Sequence, residues 1–116
     1  MGRTILIVDD HEPFRRAARE LLTAEGYDVV GEAADGESAV AEAARLAPAI
    51  VLLDVQLPDI DGFEVARRLR AAGHAGITIL VSGRVGNYRR RLSDSPASAF
   101  ILKGDLTGAA LAGLVA

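Results

Sequence analysis

The sequence predicts a single α/β domain in which five parallel strands alternate with about five helices. The first observation behind this prediction is a set of short aliphatic runs, which are typical of strands buried on both faces of a sheet. The second is that amphipathic segments lie between these runs. The third is that the connections are short, so that right-handed crossovers can place successive strands side by side.

The strands are predicted at residues 3–8, 27–33, 50–54, 77–81 and 99–102. The third is the clearest, because four aliphatic residues precede Asp54 without a polar break. The second is the weakest, because Gly31 lowers its strand propensity.

The first two helices are predicted from apolar residues at three- and four-residue spacing. Pro13 suits the first turn of helix one and Gly26 its left-handed end, while Pro48 ends helix two, predicted at residues 37–46. The polar face of helix one carries Arg15, Arg16, Arg19 and Glu20. The residues expected to face the core are Phe14, Ala17, Ala18, Leu21 and Leu22 in helix one, and Val40, Ala44 and Ala47 in helix two.

The sequence indicates the last three helices with differing clarity. Helix three is expected at residues 63–72, closed by Gly73, with Phe63, Ala66 and either Leu69 or Arg70 around its inner face. Glycine, proline and serine are frequent in residues 84–98, so helix four is expected to be short or irregular, near residues 88–92. A short last helix through Leu114 is expected to be capped by Asp105 or Thr107.

Length and composition fit one globular domain with an ordinary core. The chain has 116 residues, of which 50% are hydrophobic and 25% charged. A net charge of −3 gives no reason to expect direct nucleic acid binding. The chain has no cysteine, which excludes disulfides and thiolate metal sites and suits the cytoplasm. No apolar run approaches the roughly 18 residues of a membrane span.

Polar side chains lie at the carboxyl ends of four predicted strands. Because these ends share one edge of a parallel sheet, we expect the side chains to converge there. In the strand order 2-1-3-4-5, strands one and three flank the point where a ligand crevice opens. The residues concerned are Asp9 and Asp10 after strand one, Asp54 at the end of strand three, Ser82 after strand four and Lys103, the only lysine, after strand five.

These residue types favour metal-assisted phosphoryl chemistry. Three crowded carboxylates need a cation, and oxygen ligands without cysteine favour Mg²⁺. An aspartate such as Asp54 can itself be the nucleophile, while Lys103 and Ser82 can bind phosphoryl oxygens. The chain has no GxxxxGK[ST] or GxGxxG motif for a nucleotide. The sequence therefore predicts an aspartyl phosphate site without a nucleotide cradle.

Four motifs resemble those of the receiver domain of two-component response regulators. They are VDDHE at residues 8–12, LDVQLPDIDG at 53–62, VSG at 81–83 and FILK at 100–103. The resemblance covers essentially all 116 residues in order and spacing. The segments VVGEA at 29–33 and KGDL at 103–106 are most similar to the LuxR-type (NarL/FixJ-type) subgroup, whose members carry a DNA-binding domain.

The resemblance implies a flavodoxin-like doubly wound fold and a specific set of roles. Asp54 would accept a phosphoryl group from a sensor histidine kinase, and Lys103 would match the family lysine. Asp9, Asp10, Asp54 and the backbone carbonyl of Gln56 would hold Mg²⁺. Ser82 and Phe100 stand at the switch positions, and Gln56 and Arg84 stand at the positions that tune phosphoryl lifetime.

The resemblance also implies an output beyond these residues. Residues 1–116 are expected to form one receiver domain with no effector domain, catalysing only its own phosphorylation and slow dephosphorylation. Phosphorylation would alter the face of helix four, strand five and helix five, through which a homodimer is possible. Transcription would be controlled through a LuxR-type DNA-binding domain outside this chain. We expect no membrane contact.

Two departures from the family pattern leave alternatives open. Gly83 replaces the usual alanine and Gly104 a frequent proline. Together with the thin fourth helix and Arg84, Gly83 motivates a second hypothesis, an atypical receiver that acts as a protein-interaction module without phosphate. A third hypothesis, a Mg²⁺-dependent phosphatase with Asp54 as nucleophile, lacks a good general acid, because position 56 is glutamine.

Other polar residues receive structural interpretations. The pair His11 and Glu12 is expected to be a solvated loop and helix start, and His74 a surface residue. The Arg89, Arg90 and Arg91 run is expected to be a solvated helix face. The loop aspartates Asp59 and Asp61 are expected to serve the loop and the N-terminus of the next helix.

Overall fold

The computed structural model of the protein describes residues 3–83 and 89–115. Strands and helices alternate along the chain, as the sequence predicts. Their order is β1 (Thr4–Val8), α1 (Glu12–Ala24), β2 (Asp28–Ala33), α2 (Gly36–Leu46), β3 (Ile50–Asp54), α3 (Gly62–Ala71), β4 (Ile77–Ser82), α4 (Arg89–Asp94), β5 (Ala99–Leu102), a 3₁₀ turn (Lys103–Asp105) and α5 (Gly108–Val115).

The five strands form one parallel sheet in the order β2-β1-β3-β4-β5. This order confirms the predicted flavodoxin-like arrangement, with β1 and β3 adjacent at its centre. The β1–β2 pairing has one irregularity, between Ile5 and Leu6, where the register passes from Val29 to Gly31. All carboxyl ends of the strands therefore lie along one edge of the sheet.

Alternate residues of each strand point to opposite faces, so that the sheet separates two hydrophobic clusters. Ile7 and Leu52 belong to the cluster that packs on α1 and α5. Val8 and Leu53 belong to the cluster that packs on α2 and α3. Every residue of β3 is buried, because this strand has neighbours on both sides and helices on both faces.

The inner faces of the first two helices differ from the prediction. The prediction of Ala17, Ala44 and Ala47 as core residues is wrong, since all three are exposed. The buried residues are Ala18 and Leu22 in α1 and Gly36, Ala39 and Ala43 in α2. Alanines at positions 39, 41, 43 and 44 lie on several sides of α2, so the hydrophobic period does not indicate which side is buried. In α3 the predicted Phe63, Ala66 and Leu69 are buried, and Arg70 is exposed.

The helix ends follow the predicted turn chemistry. Gly26 and Gly73 follow α1 and α3 with φ of 95° and 79°, the left-handed conformation that ends helices. Ala47 also has a positive φ, 45°, because the helical region is disfavoured before Pro48. At the start of α5 the Thr107 hydroxyl accepts a hydrogen bond from the Ala110 N–H at 2.9 Å, so the cap is Thr107 rather than Asp105.

Helix α4 spans six residues, Arg89–Asp94, which confirms a short fourth helix. His74 differs from the prediction, because it is half-buried after α3 and its Nε2 is buried. Burial lowers the pKa of His74. Among the helices that the structure describes, none combines the length and apolar character needed to cross a membrane.

Candidate functional site

Three carboxylates meet at the carboxyl edge of the sheet, where β1 and β3 end side by side. Asp9, Asp10 and Asp54 each offer one oxygen atom, and these atoms lie within 4.8 Å of one another. Asp10 and Asp54 border an open crevice whose lining also includes His11, Gln56, Ser82, Gly83 and Lys103. The structure thus brings together the acidic residues, the hydroxyl and the lysine that the sequence predicts to converge.

Asp9 is the most constrained of the three acids. It is fully buried, and its N–H donates to the carbonyl of Ala33 at 3.0 Å, which continues the pairing of β1 with β2. Its Oδ1 accepts the His11 N–H at 2.8 Å. Asp10, the next residue, is exposed. One carboxylate of the pair is therefore fixed in the protein and the other faces the crevice.

Asp54 is held by the strand before it and the loop after it. Val55 N–H donates to the carbonyl of Val81 at 3.0 Å, and Gly62 N–H donates to the carbonyl of Val55 at 2.8 Å. A Cβ on Gly62 would lie 2.3 Å from the Asp54 carbonyl oxygen, so only glycine fits at this close approach. The loop between β3 and α3 thus closes directly against the backbone of Asp54.

The electrostatics around Asp54 favour a cation. Burial and the neighbouring Asp9 raise the pKa of Asp54, and the charge of Lys103 and the N–H of Gln56 oppose them. The net effect raises the pKa to about 6 from its ordinary 3.8. Burial and the neighbouring carboxylate both disfavour the ionised form of Asp54, and a cation bound beside it would favour that form.

Lys103 places its ammonium group among three partners. Nζ lies 2.6 Å from Asp9 Oδ2 and 3.9 Å from Asp54 Oδ1. It also lies 4.5 Å from the centre of the Phe14 ring, which belongs to α1. The aromatic face and the two carboxylates hold the lysine head at the crevice, so Lys103 is not a surface lysine pointing into solvent.

The donor set fits Mg²⁺, a hard cation that takes carboxylate oxygens and retains several waters. Among the described residues, Asp9 Oδ2 is a buried oxygen without an aligned hydrogen-bond donor, although the Lys103 ammonium is close. Such an oxygen retains a lone pair for a metal. Asp9, Asp10 and Asp54 are the residues that would hold the ion, directly or through water.

The remaining predicted site residues differ in burial and in whether they line the crevice. Ser82 is buried at the end of β4 and lines the crevice with Asp54. Gln56 is exposed and also lines it. Phe100 is half-buried on β5, where it pairs with Leu80 of β4. It packs against the hydrophobic cluster between the sheet and helices α2 and α3. Arg84 lies outside the described residues.

The loop after Asp54 is attached to two helices by its aspartates. Asp61 accepts the Glu64 N–H at 2.9 Å and caps α3, as predicted. Asp59 instead accepts the N–H groups of Gly36 and Glu37 at 2.7 and 2.9 Å, at the start of α2. The sequence did not predict this second attachment, because the partners are 23 residues apart.

The start of α1 and the arginine run of α4 agree only in part with their predicted solvated environments. His11 is exposed, as expected, but it lines the crevice, and Glu12 pairs with Arg16 on the helix surface. Arg91 is not simply solvated, since it pairs with Asp61 at 2.6 Å and lies 4.1 Å from the centre of the Phe63 ring. The side chains of its neighbours in the arginine run lie outside the described part of the chain.

Sequence reasoning missed the residues that support the acidic pair. Arg15 was placed on the solvated face of helix one, yet Nη1 donates to the Asp9 carbonyl at 2.6 Å. Its Nε donates to Glu32 at 3.0 Å. Phe14 was taken as a core residue only. No spacing in the sequence signals these contacts, because they join α1 to the ends of β1, β2 and β5.

The parallel sheet with an acidic cluster and a lysine at its carboxyl edge resembles the arrangement in one class of signalling domains. Residues 5–109 match the family model described as the response regulator receiver domain. The chain belongs to this family. It is a signalling domain rather than a classical enzyme.

Individual relatives agree with this assignment. The virulence transcription regulator BvgA of Bordetella pertussis is 35% identical over 104 residues, which is 89% of this chain and 50% of BvgA. The chain spans about half the length of the curated relatives that it matches.

The solved structures that resemble this chain include two that each align with 97% of it. The receiver domain of NarL from Mycobacterium tuberculosis has a TM-score of 0.85 and 30% identity, with 96% of that chain covered. CheY of Borrelia burgdorferi, in a complex with CheX, BeF₃ and Mg²⁺, has a TM-score of 0.85 and 27% identity, with 86% of that chain covered. The similarity to NarL confirms the predicted resemblance to the LuxR-type subgroup.

Proposed function

We propose that this receiver domain is cytoplasmic and accepts a phosphoryl group on Asp54 from a sensor histidine kinase, in a Mg²⁺-dependent reaction. The observation that carries the proposal is the meeting of three carboxylates within 4.8 Å beside the ammonium of Lys103. Asp54 is the acid at the end of the central strand, beside an open crevice that a phosphoryl donor can enter. Residues 1–116 form the receiver unit in this proposal.

The transfer is a displacement at phosphorus. A carboxylate oxygen of Asp54 forms the new O–P bond as the P–N bond to the donor histidine breaks, and the histidine nitrogen retains the electron pair. Mg²⁺, when bound by the acidic residues, would neutralise them and stabilise charge on the phosphoryl oxygens. The Gln56 carbonyl is the further oxygen that we assign to the ion.

Lys103 and Ser82 bind the product. The lysine ammonium, already 3.9 Å from Asp54 Oδ1, supplies a positive charge for a phosphoryl oxygen. Ser82 ends the neighbouring strand beside Asp54. Its hydroxyl donates a hydrogen bond to a second phosphoryl oxygen. Gln56 and Arg84 adjust how readily water reaches the phosphoryl group. Attraction of Ser82 towards the phosphoryl group is then the event that alters the packing of Phe100 on β5.

The output of this switch is control of transcription. BvgA is a transcription regulator, which supports control of transcription as the output, and we propose a LuxR-type DNA-binding domain as the effector. We propose that the face built by α4, β5 and α5 changes on phosphorylation and forms a homodimer. The receiver itself, with a net charge of −3, does not contact DNA in this proposal.

The test is labelling by a small phosphodonor, acetyl phosphate, followed by intact-mass spectrometry. With Mg²⁺ the wild-type protein is expected to gain one phosphoryl group, and chelation of Mg²⁺ should abolish the gain. Asp54→Asn should not be labelled. Asp28→Asn, which changes an exposed aspartate at the start of β2, is the matched control and should label as the wild type does.

The other hypotheses give different results. A wild-type protein that gains no phosphoryl group while its fold is intact would support the interaction module. Sustained turnover of a phosphoester substrate would support the phosphatase. A labelled Asp54→Asn variant would contradict the choice of acceptor.

A further inference from the structure

The peptide group that joins Asp9 to Asp10 accepts a hydrogen bond from Arg15, a residue of α1 that does not line the crevice. The carbonyl of Asp9 belongs to the peptide bond between Asp9 and Asp10, and this bond is planar. Arg15 Nη1 donates to that carbonyl at 2.6 Å. Fixing the carbonyl therefore fixes the plane from which the Asp10 backbone continues.

Arg15 is itself held in place. Its Nε donates to Glu32 Oε1 at 3.0 Å, and its side chain is only 16% exposed. Glu32 lies near the end of β2, opposite Ile7 of β1. The planar guanidinium thus bridges β2 and the peptide after β1, using two donors in a fixed relative orientation.

Glu32 carries a negative charge that matches this role. Burial raises the pKa of Glu32, but hydrogen bonds and charges from Arg19 and Arg15 outweigh burial and lower it overall. Arg19 binds the other oxygen, Oε2, at 2.7 Å, and its Nη1 lies 3.3 Å from the Val29 carbonyl. Two arginines therefore share one glutamate, and only Arg15 reaches Asp9 among the described contacts.

We propose that Arg15 is a positioning residue for the metal site, and that its bridge from Glu32 to the Asp9 carbonyl directs the carboxylates of Asp9 and Asp10 towards the ion. This inference rests on the Mg²⁺ site of the proposed function. Asp9 is held at its N–H and at Oδ1 by other groups, so Arg15 supplies the remaining restraint on its backbone. Asp10 is exposed, so its direction depends on that backbone.

Charge alone predicts the opposite effect. A guanidinium near a cation site repels the cation, so removal of Arg15 would strengthen Mg²⁺ binding if only its charge mattered. A positioning role predicts weaker binding, because loss of a residue that orients metal ligands commonly lowers affinity by about 10-fold or more. The sign of the change therefore separates the two roles.

The experiment compares Arg15→Met with Arg19→Met. Both variants remove one partner of Glu32, but only the first removes the bond to the Asp9 carbonyl. Mg²⁺ affinity is measured by titration calorimetry, and the amide shift of Asp10 is measured by NMR in Mg²⁺-free protein. We expect Arg15→Met to weaken Mg²⁺ binding by about 10-fold and shift the Asp10 amide, and Arg19→Met to change affinity by less than about two-fold.

Arg15→Lys provides a second route if the methionine variant does not fold. It retains the positive charge but not the two-donor fork, so we expect weaker Mg²⁺ binding here also. Wild-type Mg²⁺ affinity in a folded Arg15 variant would overturn the inference while the proposed function stands. An equal loss of Mg²⁺ affinity in the Arg15 and Arg19 variants would have the same consequence. A wild-type protein that binds no Mg²⁺ would overturn both.

Discussion

The central strand β3 ends in a site residue and the edge strand β5 is followed by one, but the two strands are packed differently. All five residues of β3 are buried, whereas only Ile101 of the four in β5 is buried. β3 pairs with β1 and β4, and β5 pairs with β4 alone. Asp54 therefore stands on the most constrained strand of the sheet, and Phe100 stands on one of its two edge strands.

The contrast between the two strands shows how one small domain can combine precise chemistry with a response. An acceptor needs neighbours at fixed distances, which a strand buried on both faces provides. A switch needs an element with a second arrangement of similar free energy, and a half-buried edge strand is less strongly fixed. Lys103 connects the two regions, because it follows β5 and reaches Asp9 and Asp54.

Truncation of one side chain in each strand gives the largest expected effect. Leu53→Ala in β3 should lower the free energy of unfolding by about 3 kcal/mol, because Leu53 is fully buried. Phe100→Ala in β5 should lower it by about 2 kcal/mol, because that ring is only half-buried and forms a smaller cavity. Urea unfolding of both variants measures the two values.

The order of the two losses is the informative result. Equal dependence of the unfolding free energy on urea concentration in both variants would show that the comparison is valid. A larger loss in Phe100→Ala than in Leu53→Ala would contradict the view that β5 is the softer strand.

Loss of the lysine that joins the two strands should have an intermediate effect. Lys103→Met leaves the fully buried Asp9 carboxylate without its cation, so in Mg²⁺-free buffer we expect a loss of about 2 kcal/mol. This value is reduced from that of a fully buried pair, because the lysine side chain is 22% exposed. Added Mg²⁺ should restore part of the stability, since an ion that binds only the folded state stabilises it.

The exposed pair of Arg45 with Glu42 supplies the control for this prediction. Arg45→Met removes an arginine from an exposed helix-surface ion pair and should leave the urea midpoint nearly unchanged. An unchanged midpoint for Lys103→Met as well would mean that the lysine does not compensate Asp9.

The smallest expected effect concerns the loop that leaves β3. Backbone N–H bonds, that of Gly36 first, lower the pKa of Asp59 from 3.8 to about 2, although burial opposes them. Because the folded state favours the ionised form, this stabilisation is complete above about pH 4 and is lost as the pH falls towards 2. Asp59→Asn should therefore be less stable than the wild type near pH 5, and the difference should shrink in acid.

Unfolding of both proteins in urea from pH 5 towards pH 2 measures this difference. Asp28→Asn, at the exposed start of β2, should follow the wild-type curve. A difference for Asp59→Asn that stays constant over this range would contradict the attachment of the loop to α2 through an ionised carboxylate.

The sequence was sufficient to predict the strand order and the meeting of Asp9, Asp10, Asp54, Ser82 and Lys103. These residues lie at strand ends, and parallel topology alone brings strand ends to one edge. The sequence was not sufficient to predict the bridge from Arg15 to Glu32 or the attachment of Asp59 to α2. Such contacts depend on how far each helix is rotated and shifted against the sheet, and local periodicity does not determine these quantities. The misassigned face of α2 has a different origin, because alanines on several sides of that helix obscure its hydrophobic period.

The most direct test is to locate the phosphoryl group on the chain. Borohydride reduces an aspartyl phosphate to homoserine, so the acceptor can be identified by peptide mass spectrometry after labelling with acetyl phosphate and Mg²⁺. We predict homoserine at position 54 and unmodified aspartate at positions 9 and 10. Homoserine at position 9 or 10, or none anywhere in a protein labelled on another residue type, would contradict the assignment of Asp54.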